Sequence, residues 1–313
     1  FGKAALRCTR AKWNRSSGWQ KTDETAESCY RARYENAMTI VPCALKQTDS
    51  LLAFVLPHEK TAVGFVSHIM RGNADCFLVM DGGQTCGAFS FSAGGQIFHC
   101  LPDAHSAARA EFLRTLTAFF RGQKNRDLFN IIGEETGTEL IRQAIAAAWG
   151  KTTRHEQTYV LLEKIGVAEQ VDSSDCVRCV PEMIDALLPL QIAYEREEIF
   201  WEGEPYNPNV TRLAFLRALR TQQVFALVKN GRYVAKGGTN AQGKRYAQLG
   251  GVFTIPSERK KGYATELLRY VVQTLHRQGK DIVLFAKKDN VAALRLYEKI
   301  GCKNIGSFKI VYY

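Results

Sequence analysis

The stretch Thr254–Leu268 (TIPSERKKGYATELL) decides the fold prediction for this chain of 313 residues. An apolar run, GGVFT, enters a short basic turn with one glycine, and an amphipathic helical pattern follows the turn. The first N–H groups of a helix have no partner within the helix, and the positive end of the helix dipole lies there. Gly262 allows the main chain to approach a ligand closely, and Arg259, Lys260 and Lys261 add positive charge. The pattern predicts a site for a phosphate or diphosphate, although its spacing is neither that of a P-loop nor that of GxGxxG.

The segments on both sides of this turn predict alternating strands and helices. Upstream, Asn230-Gly231 separates two apolar runs, which is a strong signal for a β-hairpin. Downstream, apolar residues at helical spacing continue to Leu275, and Gly279 ends the helix. A buried strand (DIVLFA), a second helix (VAALRLYEKI) and a last strand (SFKIVYY) follow. This order indicates an α/β fold of the α+β type.

The second half of the chain resembles the GNAT superfamily of acyl-CoA N-acyltransferases. Arg259-x-x-Gly262-x-Ala264 matches the family's (Q/R)-x-x-G-x-(G/A) signature, and LFAKKDNVAALRLYEKIGC resembles its second signature. The resemblance covers roughly residues 175–313. It implies a mixed, mostly antiparallel sheet flanked by helices. It also implies an N-acetyltransferase that moves the acetyl group of acetyl-CoA, the co-substrate, to a primary amine by direct attack in a ternary complex, without a metal. A non-catalytic, regulatory acyl-CoA-binding module is the alternative.

The resemblance also assigns roles to residues around the basic turn. Main-chain N–H groups of residues 259–265 would bind the coenzyme A diphosphate, and strands 250–254 and 282–287 would separate to admit pantetheine. Tyr297 would protonate the departing thiolate, and Asn290 would lie near the pantetheine arm. The ordinary alternatives are a tyrosine of the core and an asparagine that only caps its helix. The implied coenzyme-binding residues are Val252, Phe253, Thr254, Arg259, Lys260, Lys261, Gly262, Tyr263, Ala264, Thr265 and Asn290.

A group of acidic residues precedes these motifs, on and after a helix that begins near Pro181. Carboxylates there would attract a cationic amine, and with an unperturbed pKa of ~10.4 such an amine must lose a proton before it attacks. Glu198 shares a helix face with Tyr194 and is the candidate base, whereas a solvated helix face is the alternative. The group consists of Glu195, Glu197, Glu198, Glu202 and Glu204.

The first half of the chain repeats the order of the second half at an offset of roughly 150 residues. Phe77–Gly82 resembles Phe225–Gly231, and Gln96–Pro102 resembles Gly250–Pro256. We therefore predict two tandem GNAT-like domains, a degenerate one at 1–170 and a catalytic one at 171–313. The polar stretch 169–175 marks the boundary, and additional helices are predicted at 4–15 and 24–36.

The first copy departs from the signature at the turn where the chemistry would lie. It has no RxxGxA, no basic cluster and no glycine close to the helix start, and Asp103 would repel a diphosphate. We therefore predict that residues 1–170 do not bind coenzyme A in the usual manner. This half would instead form one wall of the acceptor pocket or stabilise the catalytic half through packed sheets.

Composition excludes several classes of protein. The net charge is +11 and 46% of the residues are hydrophobic, which is ordinary for a globular chain and excludes a disordered one. The longest apolar run, Leu51–Leu56, is too short to cross a bilayer and predicts a strand. Nine cysteines and an N-terminus without an apolar signal segment favour reduced thiols in the cytoplasm. The basic residues are not interleaved with aromatic ones, so nucleic acid is not the expected partner, and no membrane is expected either. The resemblance implies a small-molecule or protein amine as the partner.

Two further patterns have ordinary explanations. Cys176-x-x-Cys179 has no second pair with which to form a zinc site, and it falls where a strand of the second copy is expected. His99 is expected to be a half-buried histidine of a strand. The oligomeric state and the acceptor stay open.

Overall fold

The computed structural model describes residues 38–72, 75–105, 107–166, 174–200 and 205–313. The helices are α1 (Thr48–Val55), α2 (Glu59–Met70), α3 (Arg109–Gly122), α4 (Glu135–Trp149), α5 (Ile184–Glu198), α6 (Pro208–Thr221), α7 (Tyr263–Arg277) and α8 (Val291–Lys299). The strands are β1 (Thr39–Pro42), β2 (Asp75–Asp81), β3 (Gln84–Phe91), β4 (Gln96–Cys100), β5 (Asn130–Glu134), β6 (His155–Lys164), β7 (Cys176–Arg178), β8 (Val224–Lys229), β9 (Arg232–Gln242), β10 (Tyr246–Thr254), β11 (Asp281–Lys287) and β12 (Lys303–Tyr312). The predicted helices at 4–15 and 24–36 and most of the predicted boundary lie outside the described residues. Within the described residues, no helix is both long and apolar enough to span a bilayer.

The strands of both halves join in one sheet rather than in two. Among the described residues it has 12 strands in the order β1-β2-β3-β4-β5-β12-β6-β11-β10-β9-β8-β7. Only β4–β5 and β10–β11 pair in parallel, and every other neighbouring pair is antiparallel. The predicted mixed, mostly antiparallel sheet with flanking helices is therefore confirmed.

The two halves exchange their last strands. The C-terminal strand β12 pairs with β5 of the first half, and β6 of the first half pairs with β11 of the second. The two exchanged strands pair with each other from Lys303 opposite Glu163 to Tyr312 opposite His155. Lys309 of β12 adds side-chain contacts, because its Nζ lies 2.9 Å from Glu139 of α4 and 2.7 Å from Glu156 of β6. Each half therefore completes the sheet of the other.

Helices cover both faces of the sheet. In β8, Phe225 and Leu227 pack in one core with α7, whereas Val224 and Ala226 pack with α5 and α6 on the opposite face. In β11, Val283 packs with Val63 of α2, on the face opposite α7. The helices α2, α5 and α6 thus share one face of the sheet, which we call the cleft face.

A buried carboxylate joins the halves. Glu59, at the start of α2, is 3% exposed and accepts hydrogen bonds from the main-chain N–H groups of Arg245 (3.0 Å) and Tyr246 (3.2 Å). These two residues follow β9 in the second half. The contact holds α2 against the hairpin between β9 and β10.

The run Leu51–Leu56 is helical, so the predicted strand is wrong. Leu51 and Val55, four residues apart, are both buried on one side of α1. A short apolar run does not distinguish a buried strand from a buried helix, and the spacing of these two residues on a packed face decides in favour of the helix.

Candidate functional site

A gap opens in the sheet where β10 leaves β11. The parallel pairing runs from Tyr246 opposite Asp281 to Leu249 opposite Leu284 and ends there, while β11 stays paired with β6 as far as Lys287. The register between β9 and β10 shifts after Gly250, and Gly251 has a φ of 62°. This irregularity is a β-bulge, which bends the end of β10 away from its neighbour.

The basic turn after β10 presents main-chain donors to this gap. Gly262 precedes α7 with a φ of 85°, and no side chain caps the helix. Lys260 has a φ of 63°, a conformation that is uncommon for a residue with a side chain. Among the described residues, no hydrogen bond involves the main-chain N–H groups of residues 260–265. A turn of this kind at a helix start is suited to bind an anion.

Most of the residues proposed from the sequence line one cavity of about 430 Å³. The proposed residues that line it are Glu198, Val252, Phe253, Thr254, Arg259, Lys260, Gly262, Tyr263, Ala264, Thr265, Asn290 and Tyr297. Lys261 is not among the lining residues, and its Nζ lies 2.7 Å from a carboxylate oxygen of Glu258. Glu202 and Glu204 lie outside the described residues.

Arg259 holds the end of β10 in place. Its Nε donates to the Thr254 carbonyl oxygen at 3.0 Å, and its Nη2 lies 2.7 Å from Glu197 of α5. The guanidinium also lies over the Phe253 ring, 5.3 Å from its centroid. Thr254 Oγ1 is buried and has no hydrogen-bond partner among the described residues. The cavity thus retains an unsatisfied hydroxyl and an exposed cation at its wall.

Tyr297 and Asn290 lie on the helix that follows β11. Tyr297 is 8% exposed, and burial, with smaller contributions from Cys302 and Glu198, raises the pKa of its phenol. The hydroxyl therefore stays protonated at neutral pH. Asn290 caps α8, since its Oδ1 accepts from the Ala293 N–H at 3.0 Å, and it also lines the cavity.

The acidic residues of α5 are engaged in contacts. Glu198 Oε2 lies 3.2 Å from Lys287 Nζ, and its Oε1 lies 3.5 Å from Asn290 Nδ2. Glu195 accepts hydrogen bonds from Thr211 and from Gln191, at 2.9 Å from the latter. Among these carboxylates, Glu197 and Glu198 line the cavity.

A family comparison agrees with this geometry. Residues 190–302 match the model of the acetyltransferase (GNAT) family. Residues 190–302 are a GNAT-family domain. The match begins in α5 and ends after α8, so it includes the bulge, the basic turn, and the helices α7 and α8 that line the cavity. The match supports acyl transfer as the reaction class.

Solved structures resemble this chain to different degrees. A Drosophila melanogaster protein is 12% identical and has a TM-score of 0.60, with 88% of this chain and 98% of that one covered, which shows a common fold. A tandem GNAT protein from the clavulanic acid biosynthesis pathway is 12% identical with a TM-score of 0.48, and 88% and 98% are covered. A GNAT family protein of Novosphingobium aromaticivorans is 20% identical with a TM-score of 0.42. This chain spans 65% of its length, and 51% of this chain is covered. No curated protein matches the sequence significantly.

The GNAT signatures did not indicate Lys236, a buried lysine beside the bulge. It is 3% exposed, its Nζ donates to the Gly251 carbonyl oxygen at 2.9 Å, and it lies 4.2 Å from the centroid of the Tyr194 ring. Burial lowers the pKa of its ammonium to about 7, against smaller opposing effects of Glu195 and Cys179. A lysine within the apolar strand RYVAKGG is the signal that could have identified it.

In the first half, the place that corresponds to the GNAT gap is filled by His99. The parallel pairing of β4 with β5 ends at Phe98 opposite Ile132, and His99 follows. Its ring is 2% exposed and lies so close to Gly133 and Gly137 that an added Cβ would be 2.3 Å and 2.6 Å from it. His99 is thus fully buried rather than half-buried as expected, because it packs in the gap and contacts Thr138 at 2.8 Å.

The helix starts of the first half also differ from the GNAT pattern. Ala108 precedes α3 in a right-handed conformation, without the left-handed glycine that precedes α7. At α4, the Glu134 carboxylate accepts hydrogen bonds from the N–H groups of Thr136 and Gly137, at 3.0 Å each. A carboxylate thus lies where the second half has the amide of Asn290.

Cys176 and Cys179 are a part of the core. Cys176 starts β7, both thiols are buried and free, and no group of three or more metal-binding side chains occurs among the described residues. This location agrees with strand packing as the explanation of the pair.

Proposed function

We propose that the second half of the chain is an acetyl-CoA-dependent N-acetyltransferase that transfers an acetyl group to a primary amine by direct attack in a ternary complex. The observation that carries the proposal is the uncapped N-terminus of α7 at the mouth of a gap between two diverging parallel strands. Acetyl-CoA would supply the activated acetyl thioester. The unpaired N–H groups of residues 260–265 would hold its diphosphate, with Arg259 close by.

The proposed proton transfers use residues of the same cavity. The new bond forms between the amine nitrogen and the acyl carbon, while the carbon–sulfur bond breaks. Tyr297 is the proposed acid because its buried phenol keeps a proton that the departing thiolate can take. Glu198 is the proposed acceptor of the amine proton, directly or through water, because it lines the cavity on the side of α5.

Turnover measurements test this assignment. Acetyl-CoA and pooled primary amines are mixed with the full chain, and thiol release is recorded. We expect Tyr297→Phe to reduce kcat by about tenfold to a hundredfold, with the acetyl-CoA dissociation constant little changed. Binding of acetyl-CoA without thiol release from any amine would instead favour the alternative function of a regulatory acyl-CoA-binding module.

Two substitutions at the basic turn test the coenzyme site. Arg259→Glu should greatly weaken acetyl-CoA binding, because it reverses a charge at the cavity wall and releases the end of β10. Lys261→Glu is the matched control and should have a smaller effect, since that side chain is 50% exposed and faces Glu258. Equal affinities of both variants and the parent chain would contradict the assignment.

We propose that the chain has a single coenzyme site, in the domain at 171–313. His99 occupies the corresponding gap of the domain at 1–170, and Glu134 rather than an amide caps the helix that follows. Calorimetric titration of acetyl-CoA into the full chain should give one equivalent. Two equivalent sites would refute this proposal.

A further inference from the structure

A cavity of about 600 Å³ opens on the cleft face between the two halves, and we call it the shared cavity. Its walls are α2 and the β3–β4 turn of the first half and α5 and α6 of the second half. Its floor is formed by strands of both halves, including the two exchanged strands. A volume of this size is typical of a small-molecule site. Because the exchange places the cleft faces of both halves side by side, each contributes to one pocket.

The shared cavity adjoins, at the end of α5, the cavity of about 430 Å³ beside the basic turn, which we call the coenzyme cavity. Tyr194 and Ile199 line the shared cavity, whereas Glu197 and Glu198, between them in sequence, line the coenzyme cavity. The Tyr194 ring also contacts Phe253 of the coenzyme cavity, with 6.2 Å between ring centroids. An acyl group that emerges from the gap between β10 and β11 would therefore face the shared cavity.

The first half contributes polar atoms that have no partner. His99 is 2% exposed and Asn130 is 4% exposed, and both line the shared cavity. Among the described residues, His99 Nδ1, Asn130 Oδ1 and His68 Nε2 are buried without a hydrogen-bond partner. Buried polar atoms are normally satisfied, so a polar ligand in this cavity is suited to supply hydrogen bonds to those of the three atoms that face it.

The charges at the shared cavity are positive. Arg71 and Arg217 line it, one from each half, and neither forms an ion pair with a described carboxylate. No aspartate or glutamate is among the described residues that line it. The acidic residues of the region lie at the end of α5, next to the coenzyme cavity. The carboxylates thus lie beside the coenzyme cavity, whereas guanidinium groups line the shared cavity.

We propose that the shared cavity binds the acceptor, and that the acceptor is a small amine that also carries a carboxylate, such as an amino acid. The inference rests on the proposed acetyl transfer. Arg71 and Arg217 hold the carboxylate, His99 and Asn130 bind polar groups of the acceptor, and the amine lies toward Glu198. Guanidinium groups are well suited to bind carboxylates. Polycationic acceptors, such as spermidine, do not fit the charges of this pocket.

Binding without coenzyme tests the cavity separately from the chemistry. The ligands are the standard L-amino acids, their C-terminal amides and spermidine, each titrated calorimetrically into the full chain. We expect at least one amino acid to bind at least about tenfold more tightly than its amide, because only the acid pairs with the arginines. Arg71→Gln and Arg217→Gln should each weaken that binding by about tenfold. Arg220→Gln, an exposed position on the same helix as Arg217, is the matched control and should leave it unchanged.

The outcomes separate this inference from the proposed function. Failure of every amino acid to bind, equal binding of acids and amides, or insensitivity to both arginine substitutions would overturn the inference. Thiol release with spermidine but with no amino acid would overturn it as well, while acetyl transfer would stand. Arginine-dependent binding of an amino acid without thiol release would support the assignment of the cavity and overturn the proposed transfer. Circular dichroism of each variant checks that the fold is retained.

Discussion

Lys236→Met should stabilise the protein at neutral pH and remove one component of the pH dependence of its stability. The ammonium of Lys236 is fully buried beside Gly251, and its pKa falls from the ordinary value of 10.5 to about 7. Methionine keeps much of the side-chain volume but carries no charge. The substitution therefore removes the desolvation of an ammonium and, with it, the hydrogen bond to the Gly251 carbonyl oxygen.

The sign and the size follow from proton linkage. Between the folded and the unfolded pKa, the unfolded chain binds the proton and the folded chain does not, so this group makes stability rise with pH from about 7 to about 10. At about 1.4 kcal/mol per pKa unit, the buried lysine lowers the free energy of unfolding by about 4 kcal/mol at pH 7 and by about 2 kcal/mol at pH 9. Below pH 7 the lysine is protonated in both the folded and the unfolded state, so this loss of stability is nearly constant. The lost hydrogen bond subtracts about 1 kcal/mol from the gain at every pH.

Denaturant unfolding of both proteins at a series of pH values measures this difference. Subtracting one stability curve from the other cancels the contributions of the tyrosines and cysteines, because these groups titrate in both proteins. We expect the advantage of Lys236→Met to shrink by about 2 kcal/mol between pH 7 and pH 9, and to stay nearly flat between pH 6 and pH 7. A difference that is independent of pH over the whole range would refute the argument that this lysine loses its proton near neutrality.

Three other substitutions test separate features. Gly262→Ala should destabilise the fold by about 1 kcal/mol and weaken acetyl-CoA binding. Gly279→Ala, at a glycine with a φ of 74°, should destabilise the fold similarly but leave the affinity for acetyl-CoA unchanged. Equal losses of affinity in both variants would contradict a role of the turn in binding. Glu59→Ala should lower the free energy of unfolding by about 2 kcal/mol, because two main-chain donors lose their buried acceptor; an unchanged denaturation midpoint would argue against this contact. The hydrogen bond from Arg142, with other contacts, lowers the pKa of Glu139 from 4.5 to about 2. The stability that the carboxylate adds is therefore present above about pH 4.5 and lost as the pH falls to 2, so Glu139→Gln should be less stable than the parent at pH 6 and converge with it near pH 2.

The local features of the coenzyme site could be predicted from the sequence because they are encoded locally. A left-handed glycine before a helix, a basic turn and an amphipathic helix all lie within about a dozen residues, and the structure has them where the motif RxxGxA predicted them. Leu51–Leu56 failed because six apolar residues fit a strand as well as one side of a helix. Contacts with α2 and the sheet decide between the two.

The exchange of strands and the shared cavity depend on pairing between distant segments. The local sequence of β6 or β12 does not specify which of the two sheets each strand will enter, because the strands that pair with them lie far away in the chain. The sequence also does not reveal that polar atoms of His99 and Asn130 lack partners, since a histidine or asparagine in a strand usually forms a hydrogen bond with a neighbour. Lys236 was recognisable, as a charged residue within an apolar strand, but only its burial shows that the charge is suppressed.

The exchanged strands also bear on how the protein could be divided. A chain cut within 167–173 yields two pieces. The first piece ends with β6, which pairs with β11 of the second piece, and the second piece ends with β12, which pairs with β5 of the first. Neither piece holds the middle of the sheet by itself, so we expect neither to be stable alone and the two to reassemble when mixed. The coenzyme cavity would then depend on the partner piece, because β11 loses its neighbour β6 when that piece is absent. A mutation that unfolds the first half would therefore abolish activity of the second half, although it changes no residue of the second half's motifs.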